Sequence, residues 1–237
     1  MTFAEKVIQF NNELFFDKSK LPEGIGIMNP FAENEYANSI SRQFYKKYYD
    51  DNNRRNLILG INPGRFGAGL TGIPFTDPKH LQSHCDINYT GKVTHEPSAV
   101  FVHEVINAFG GLAAFYSKFY INSVCPLGFV SVNSGGKETN YNYFQSKALV
   151  SAVYDFIVES IEKQLNFGIN TEACFCFGAG DNERFLRKLN DEKKYFKRIV
   201  GLEHPRFIMQ YKSSSKQDYI NKYISAFEEA VSVQYRS

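Results

Sequence analysis

The sequence predicts an α/β protein of three layers, with helices on both faces of a four-stranded parallel sheet. Three observations carry this. Four short runs of strand length, 56–61, 118–124, 172–177 and 196–202, alternate with segments of helical periodicity, which is the pattern of strand–helix–strand crossovers. The first run, Asn-Leu-Ile-Leu-Gly-Ile, is continuously apolar, as a central strand covered on both faces must be. The third is size: 237 residues with 43% hydrophobic and 22% charged residues suit one ordinary globular domain and exclude a disordered or fibrous chain.

The elements follow in order. Phe3, Val7, Phe10 and Leu14 recur at helical spacing and predict a helix over 3–16. A second helix is expected over 33–49, between Pro30 and the polar run 50–53, so that residues 1–50 form a helical extension packed on the single domain. Asp77-Pro78 reads as an N-cap followed by proline at the first helical position, and opens a short helix to Cys85. Pro97 opens another that closes at Gly110-Gly111. Long helices are expected over 143–165 and 216–231, with a shorter one over 181–189. Ligands of such sheets sit beyond the carboxyl ends of the strands. Three of those ends carry Asn-Pro-Gly-Arg-Phe-Gly, Asn-Ser-Val-Cys-Pro-Leu and Glu-His-Pro-Arg.

Lys and Arg number 27 against 25 Asp and Glu, a net charge of +2, so any contact with a polyanion must come from a local patch. There is no Trp among 22 Phe and 15 Tyr, which leaves stacking on flat ligands to Phe or Tyr. No apolar run reaches the length of a membrane span, and the acidic, amide-rich start is unlike a signal peptide; a cytoplasmic protein without a membrane partner is expected. Cys85, Cys125, Cys174 and Cys176 form no CxxC pair and are expected to be buried thiols. His80 and His84 have the i, i+4 spacing of a metal pair but lack an evident third ligand, and no metal or other cofactor is expected.

The segment 60–75, GINPGRFGAGLTGIPF, holds five glycines and two prolines. Such backbone freedom implies close approach to a ligand or a tightly turned pocket wall. It has neither the Gly-Lys-Ser/Thr of a phosphate loop nor the G-x-G-x-x-G of a dinucleotide site.

This segment resembles the first motif of the uracil-DNA glycosylase superfamily, in the branch of single-strand-selective monofunctional enzymes, whose motif opens G-M-N-P-G and closes G-V-P-F. Cys125-Pro126-Leu127 is similar to the same branch, and His204-Pro205 matches the start of its histidine motif. The continuation His-Pro-Arg-Phe-Ile-Met-Gln-Tyr is closer to a bacterial group related to that branch. The resemblance spans 57–211 and implies a metal-free, monomeric glycosylase that hydrolyses the bond between deoxyribose and uracil, or a related damaged pyrimidine, in DNA.

It also implies roles. Breaking a pyrimidine N-glycosidic bond leaves an oxocarbenium-like sugar and an anionic base, so catalysis needs a flipped nucleotide, a positioned water and a donor to the base oxygen. Asn62 would orient the water through its carbonyl, although an amide cannot accept the proton. His204 would donate to the developing base anion. Phe75 would stack on the base, and Gly60, Ile61, Pro63, Gly64 and Phe66 would shape the pocket. Asn122 could read the base edge with its amide, but relative to Cys-Pro-Leu the branch's asparagine position holds Ser123, and the reader is left open between the two. Arg65, Arg206, Phe207 and Lys212 would contact DNA, Arg206-Phe207 standing where the branch has serine and a different wedge loop. Lysine is not placed beside the motifs, so base excision without strand cleavage is expected. Structural alternatives stand beside these roles: an Asx turn for Asn62, core packing for Phe75, a loop amide for Asn122 and an ordinary histidine for His204. The alternative function is a lesion-binding protein without turnover. The cations from Arg184 to Arg198 could bind phosphates or form a solvated helix face.

Overall fold

The computed structural model describes residues 1–133 and 135–234. Its centre is the expected four-stranded parallel sheet. In chain order the strands of the whole molecule are β1 (Ile25–Met28), β2 (Arg55–Gly60), β3 (Phe119–Ser123), β4 (Gly128–Val132), β5 (Glu138–Tyr141), β6 (Ile169–Phe177) and β7 (Arg198–Leu202). The parallel sheet has the order β3-β2-β6-β7, so the apolar β2 lies inside it and is buried along its full length.

The helices are α1 (Phe3–Glu13), α2 (Pro30–Glu33), α3 (Glu35–Tyr49), α4 (Ala68–Thr71), α5 (Pro78–Ser83), α6 (Pro97–Ala108), α7 (Leu112–Tyr116), α8 (Lys147–Leu165), α9 (Asp181–Lys193), α10 (Pro205–Tyr211) and α11 (Lys216–Gln234). Local chemistry sets their ends. Thr2 and Glu5 close a capping box at α1, and the Asp77 carboxylate caps α5 ahead of Pro78. The helix expected over 33–49 is interrupted at Asn34, whose side chain accepts from Ala37 N–H and starts α3 anew. Likewise Ser146 caps α8, so that helix begins at Lys147 rather than at Tyr143.

Strand alternation separates the two helical layers. On β3, Phe119 meets Phe227 of α11 with ring centroids 4.6 Å apart, whereas Tyr120 meets Phe3 of α1 at 5.2 Å. One apolar cluster runs from Phe3 to Ala230, and α1 contributes Phe3, Ala4, Val7, Ile8 and Phe10 to it. All four cysteines are free and buried there.

The antiparallel sheet β1-β4-β5 was not expected from the sequence. It makes the N-terminal segment more than helical, because Ile25–Met28 pairs with Gly128–Val132. Its strands are short and only half-buried or exposed over much of their length, so no apolar run announces them. Among the described residues, no helix is long and apolar enough to cross a membrane.

Candidate active site

Beyond the carboxyl ends of β2, β3 and β7 lies a cavity of about 300 Å³, and all three segments that the sequence singled out contribute to its walls. Ile61, Asn62, Pro63, Gly64 and Phe75 come from the loop after β2, Ser123 from the end of β3, and His204, Arg206 and Phe207 from the start of α10.

Phe75 is held by an unusual backbone. Its φ is +53°, in the left-handed region, and its ring packs edge-on against Phe177 at 5.5 Å and lies 5.9 Å from the His204 ring. Gly60 sits directly beneath it: a Cβ there would come within 2.9 Å of Phe75 Cε2. The ring is therefore packed against the strand end and at the same time lines the cavity.

His204 is the N-cap of α10. Its Nδ1 accepts from the Arg206 backbone N–H at 3.1 Å. An amide nitrogen can only donate, so the ring proton resides on Nε2. Burial, with the nearby Arg206 cation second, lowers the His204 pKa to about 4. At neutral pH the ring is uncharged and offers one N–H donor.

Asn62 is clamped by the chain that follows β5. Its Oδ1 accepts from Tyr143 N–H at 3.0 Å, and its Nδ2 donates to the carbonyl of Tyr141 at 3.2 Å. Tyr143 is anchored through its hydroxyl to Asn182 Oδ1 at 2.8 Å, and Asn182 in turn donates to the carbonyls of Gly60 and Phe177. One amide thus ties the ends of β2 and β6 to the segment that orients Asn62.

Several expected site residues lie elsewhere. β2 and β3 pair without a break from Asn56↔Phe119 to Gly60↔Ser123, so Asn122 shares the face of Tyr120. Its Nδ2 donates to the Tyr120 hydroxyl at 2.8 Å and its Oδ1 accepts from Ser123 N–H, leaving Ser123 on the cavity wall. Arg65 stacks on Phe66 at 4.9 Å and pairs with Glu138 at 3.6 Å, outside the cavity lining. Phe66 is exposed, and Lys212 is an exposed residue at the C-terminus of α10. The cations after residue 180 are largely paired, Arg187 with Glu183, Lys197 with Glu172 and Arg198 with Glu229, and form a solvated face.

Glu96, Ser98, Asn140, Asn142, Gln210 and Tyr211 also line the cavity and escaped the sequence reading. Asn140 and Asn142 belong to the unannounced β5 region. Glu96 had a signal in Pro97, which marks the following helix and makes Glu96 its N-cap.

Behind Glu96 lies a buried polar network. Asp77 accepts from the Glu96 N–H at 2.6 Å, the His80 N–H at 2.8 Å and the His80 ring at 2.7 Å. Burial alone would raise the Asp77 pKa, but these donors hold it below the ordinary carboxylate value. The His80 ring stacks on His103 at 4.8 Å, and burial, then the neighbouring His80 and His84, lower the His103 pKa to about 3. Asp77, His80 and His95 bring ligand-type atoms within 4.8 Å of one another, yet both Asp77 oxygens already accept N–H donors, as expected of a hydrogen-bonded support.

A family profile described as "Uracil DNA glycosylase superfamily" matches residues 46–228. Among solved structures, a crystal structure of wild-type Pedobacter heparinus SMUG2 superposes with a TM-score of 0.95 at 64% identity, covering 98% of this chain and 99% of that one. A search of curated proteins finds no match. With the profile covering most of the chain and a glycosylase-type cavity at the matched strand ends, the protein belongs to the uracil DNA glycosylase superfamily.

Proposed function

We propose that this DNA glycosylase hydrolyses the N-glycosidic bond of uracil, or of a closely related damaged pyrimidine, flipped out of DNA, and that it leaves the sugar–phosphate strand intact. The observation that carries this reading is the neutral His204, whose ring keeps its one N–H on Nε2 free of Nδ1's backbone bond and lines the same cavity as Phe75 and Asn62. A base stacked on Phe75 would gain about 1–3 kcal/mol irrespective of its identity. As the bond to C1′ breaks, its electron pair passes to the base, and a donor in place at the base oxygen stabilises that charge more than it stabilises the substrate. A neutral imidazole does this without first taking up a proton. Asn62, with its carbonyl fixed by Tyr143 N–H, retains acceptor capacity to hold a water against the sugar. Ser123 on the cavity wall, rather than Asn122, is the residue of β3 that can reach the base edge.

The test is abasic-site formation on a panel of single- and double-stranded oligonucleotides, each carrying one lesion. Excision of uracil that leaves an alkali-labile but uncut strand supports the proposal. Tight lesion binding with no excision from any strand would replace it with a lesion-binding function.

A further inference from the structure

Asn62 leaves one chemical requirement unmet. A water that attacks C1′ must lose a proton, and an amide whose oxygen is an acceptor and whose nitrogen carries two hydrogens cannot take it. We infer that Glu96, on the cavity wall beside Gly64, is a catalytic residue of this enzyme and accepts that proton. The inference rests on the glycosylase activity proposed above.

Three observations carry it. The first is shape: a Cβ on Gly64 would lie 3.1 Å from Glu96 Oε1, and one on Gly67 would lie 2.0 Å from Glu96 Oε2. The carboxylate thus lies directly against the glycine loop, in the space that side chains at these two positions would enter. Gly64 is two residues from Asn62, and the acid and the water-holding amide line the same cavity. Second, the carboxylate is unengaged: among the described residues it accepts no protein hydrogen bond, although its backbone N–H is anchored on Asp77 at 2.6 Å. An unpaired acid beside a polyanionic ligand weakens binding, so its presence needs a role in the reaction. Third, its support is buried and complete, since Asp77 is itself held by both N–H groups of His80.

The charged and titratable groups around Glu96 are Asp77 from the segment before α5, with the His80 and His95 rings beside it, and Arg206 and His204 from α10. Burial first and the Asp77 charge second raise the Glu96 pKa, and Arg206 opposes them. A raised carboxyl is a better proton acceptor than an ordinary one, provided that it is ionised at working pH. In the step, the C1′–N bond breaks and its electron pair leaves on the base. The water oxygen bonds to C1′, and the water proton passes to Glu96. Glu96 then releases that proton to solvent, from which the base anion takes one up.

The experiment is single-turnover excision from a uracil-containing single strand across pH 5–9 with wild type, Glu96→Gln and Glu96→Asp. Affinity is measured in parallel on a strand carrying 2′-fluoro-2′-deoxyuridine, whose fluorine disfavours the oxocarbenium ion. For the wild type the rate should rise with pH through the Glu96 pKa and then level off. Glu96→Gln should lower the plateau by about 10²-fold and abolish that rise, with affinity equal or tighter and an unchanged Tm. Glu96→Asp, which keeps the acid but retracts it, should retain the rise at an intermediate rate. Wild-type excision with a Glu96→Gln variant of unchanged rate and pH profile overturns the role of Glu96 alone. A wild type without excision overturns both this role and the proposed function.

Discussion

The two ends of β2 carry polar side chains that are treated in opposite ways. At its start Arg55 is fully buried, yet every face of its guanidinium is occupied: Nε donates to the Tyr116 carbonyl at 2.7 Å, two nitrogens grip Asp51 at 2.8 and 2.9 Å, and the group lies over the rings of Phe3 and Tyr49. Around its other end, Asn62 is held by three bonds, His204 by one and Glu96 through its backbone N–H alone, and all three line a cavity with hydrogen-bonding capacity to spare. A buried charge is tolerated when it is completely partnered, whereas a site for a ligand must leave partners unused. The same strand therefore ends in stability on one side and in reactivity on the other.

The sharpest way to break this contrast is to remove a side chain at each end. His204→Ala should lower single-turnover excision by about 10²–10³-fold, as loss of one preorganised donor does, while losing the α10 N-cap lowers Tm by only about 2–4 °C. An alanine variant that excises at the wild-type rate would end the assignment of His204. At the other end, Arg55→Met should destabilise the fold by about 3 kcal/mol, because the Tyr116 carbonyl is left unpaired and Asp51 loses its partner. Urea denaturation reads this, and the excision rate per folded molecule should not move. A variant that is stable but inactive would show that Arg55 serves the site after all.

Phe75→Ala tests the middle ground, since the ring both packs on Phe177 and lines the cavity. It should weaken capture of a uracil-containing strand by about 1–3 kcal/mol in a fluorescence titration. A large fall in Tm with normal binding would return Phe75 to the core.

The smallest effect is pH-dependent stability. His103 has a native pKa of about 3 against an ordinary value of 6.5, so below pH 6.5 the unfolded chain binds a proton that the native state refuses. Its stabilisation is complete above pH 6.5 and is lost progressively down to about 3, with the native pKa of about 4 at His204 acting in the same direction. Between pH 7 and 5.5 the His103 share is about 1 kcal/mol. The urea midpoint of His103→Phe should therefore fall less over that interval than that of the wild type.

The loop after β2 was legible because its chemistry is local: glycines, prolines and an asparagine at a strand end state their purpose within a few residues, and the resemblance added His204. Asn122 shows where that reading stops. Strand parity turns it toward Tyr120 and brings Ser123 to the wall, a matter of register that neighbouring residues do not encode. Arg55 reads in the sequence as one surface cation among many, and only Asp51, Tyr116 and two aromatic rings converging from separate elements make it a core residue.

By itself the sequence determined the parallel sheet, most of the helix starts, the buried thiols and the loop that forms the cavity, because periodicity and capping act over a few residues. Tertiary structure alone decided the second sheet, the clamp that Tyr143 and Asn182 place on Asn62, and the seating of Glu96 against Gly64 and Gly67. Those features join residues far apart in the chain. Their geometry exists only once the two helical layers have packed and the chain ends of β2, β3 and β7 lie side by side.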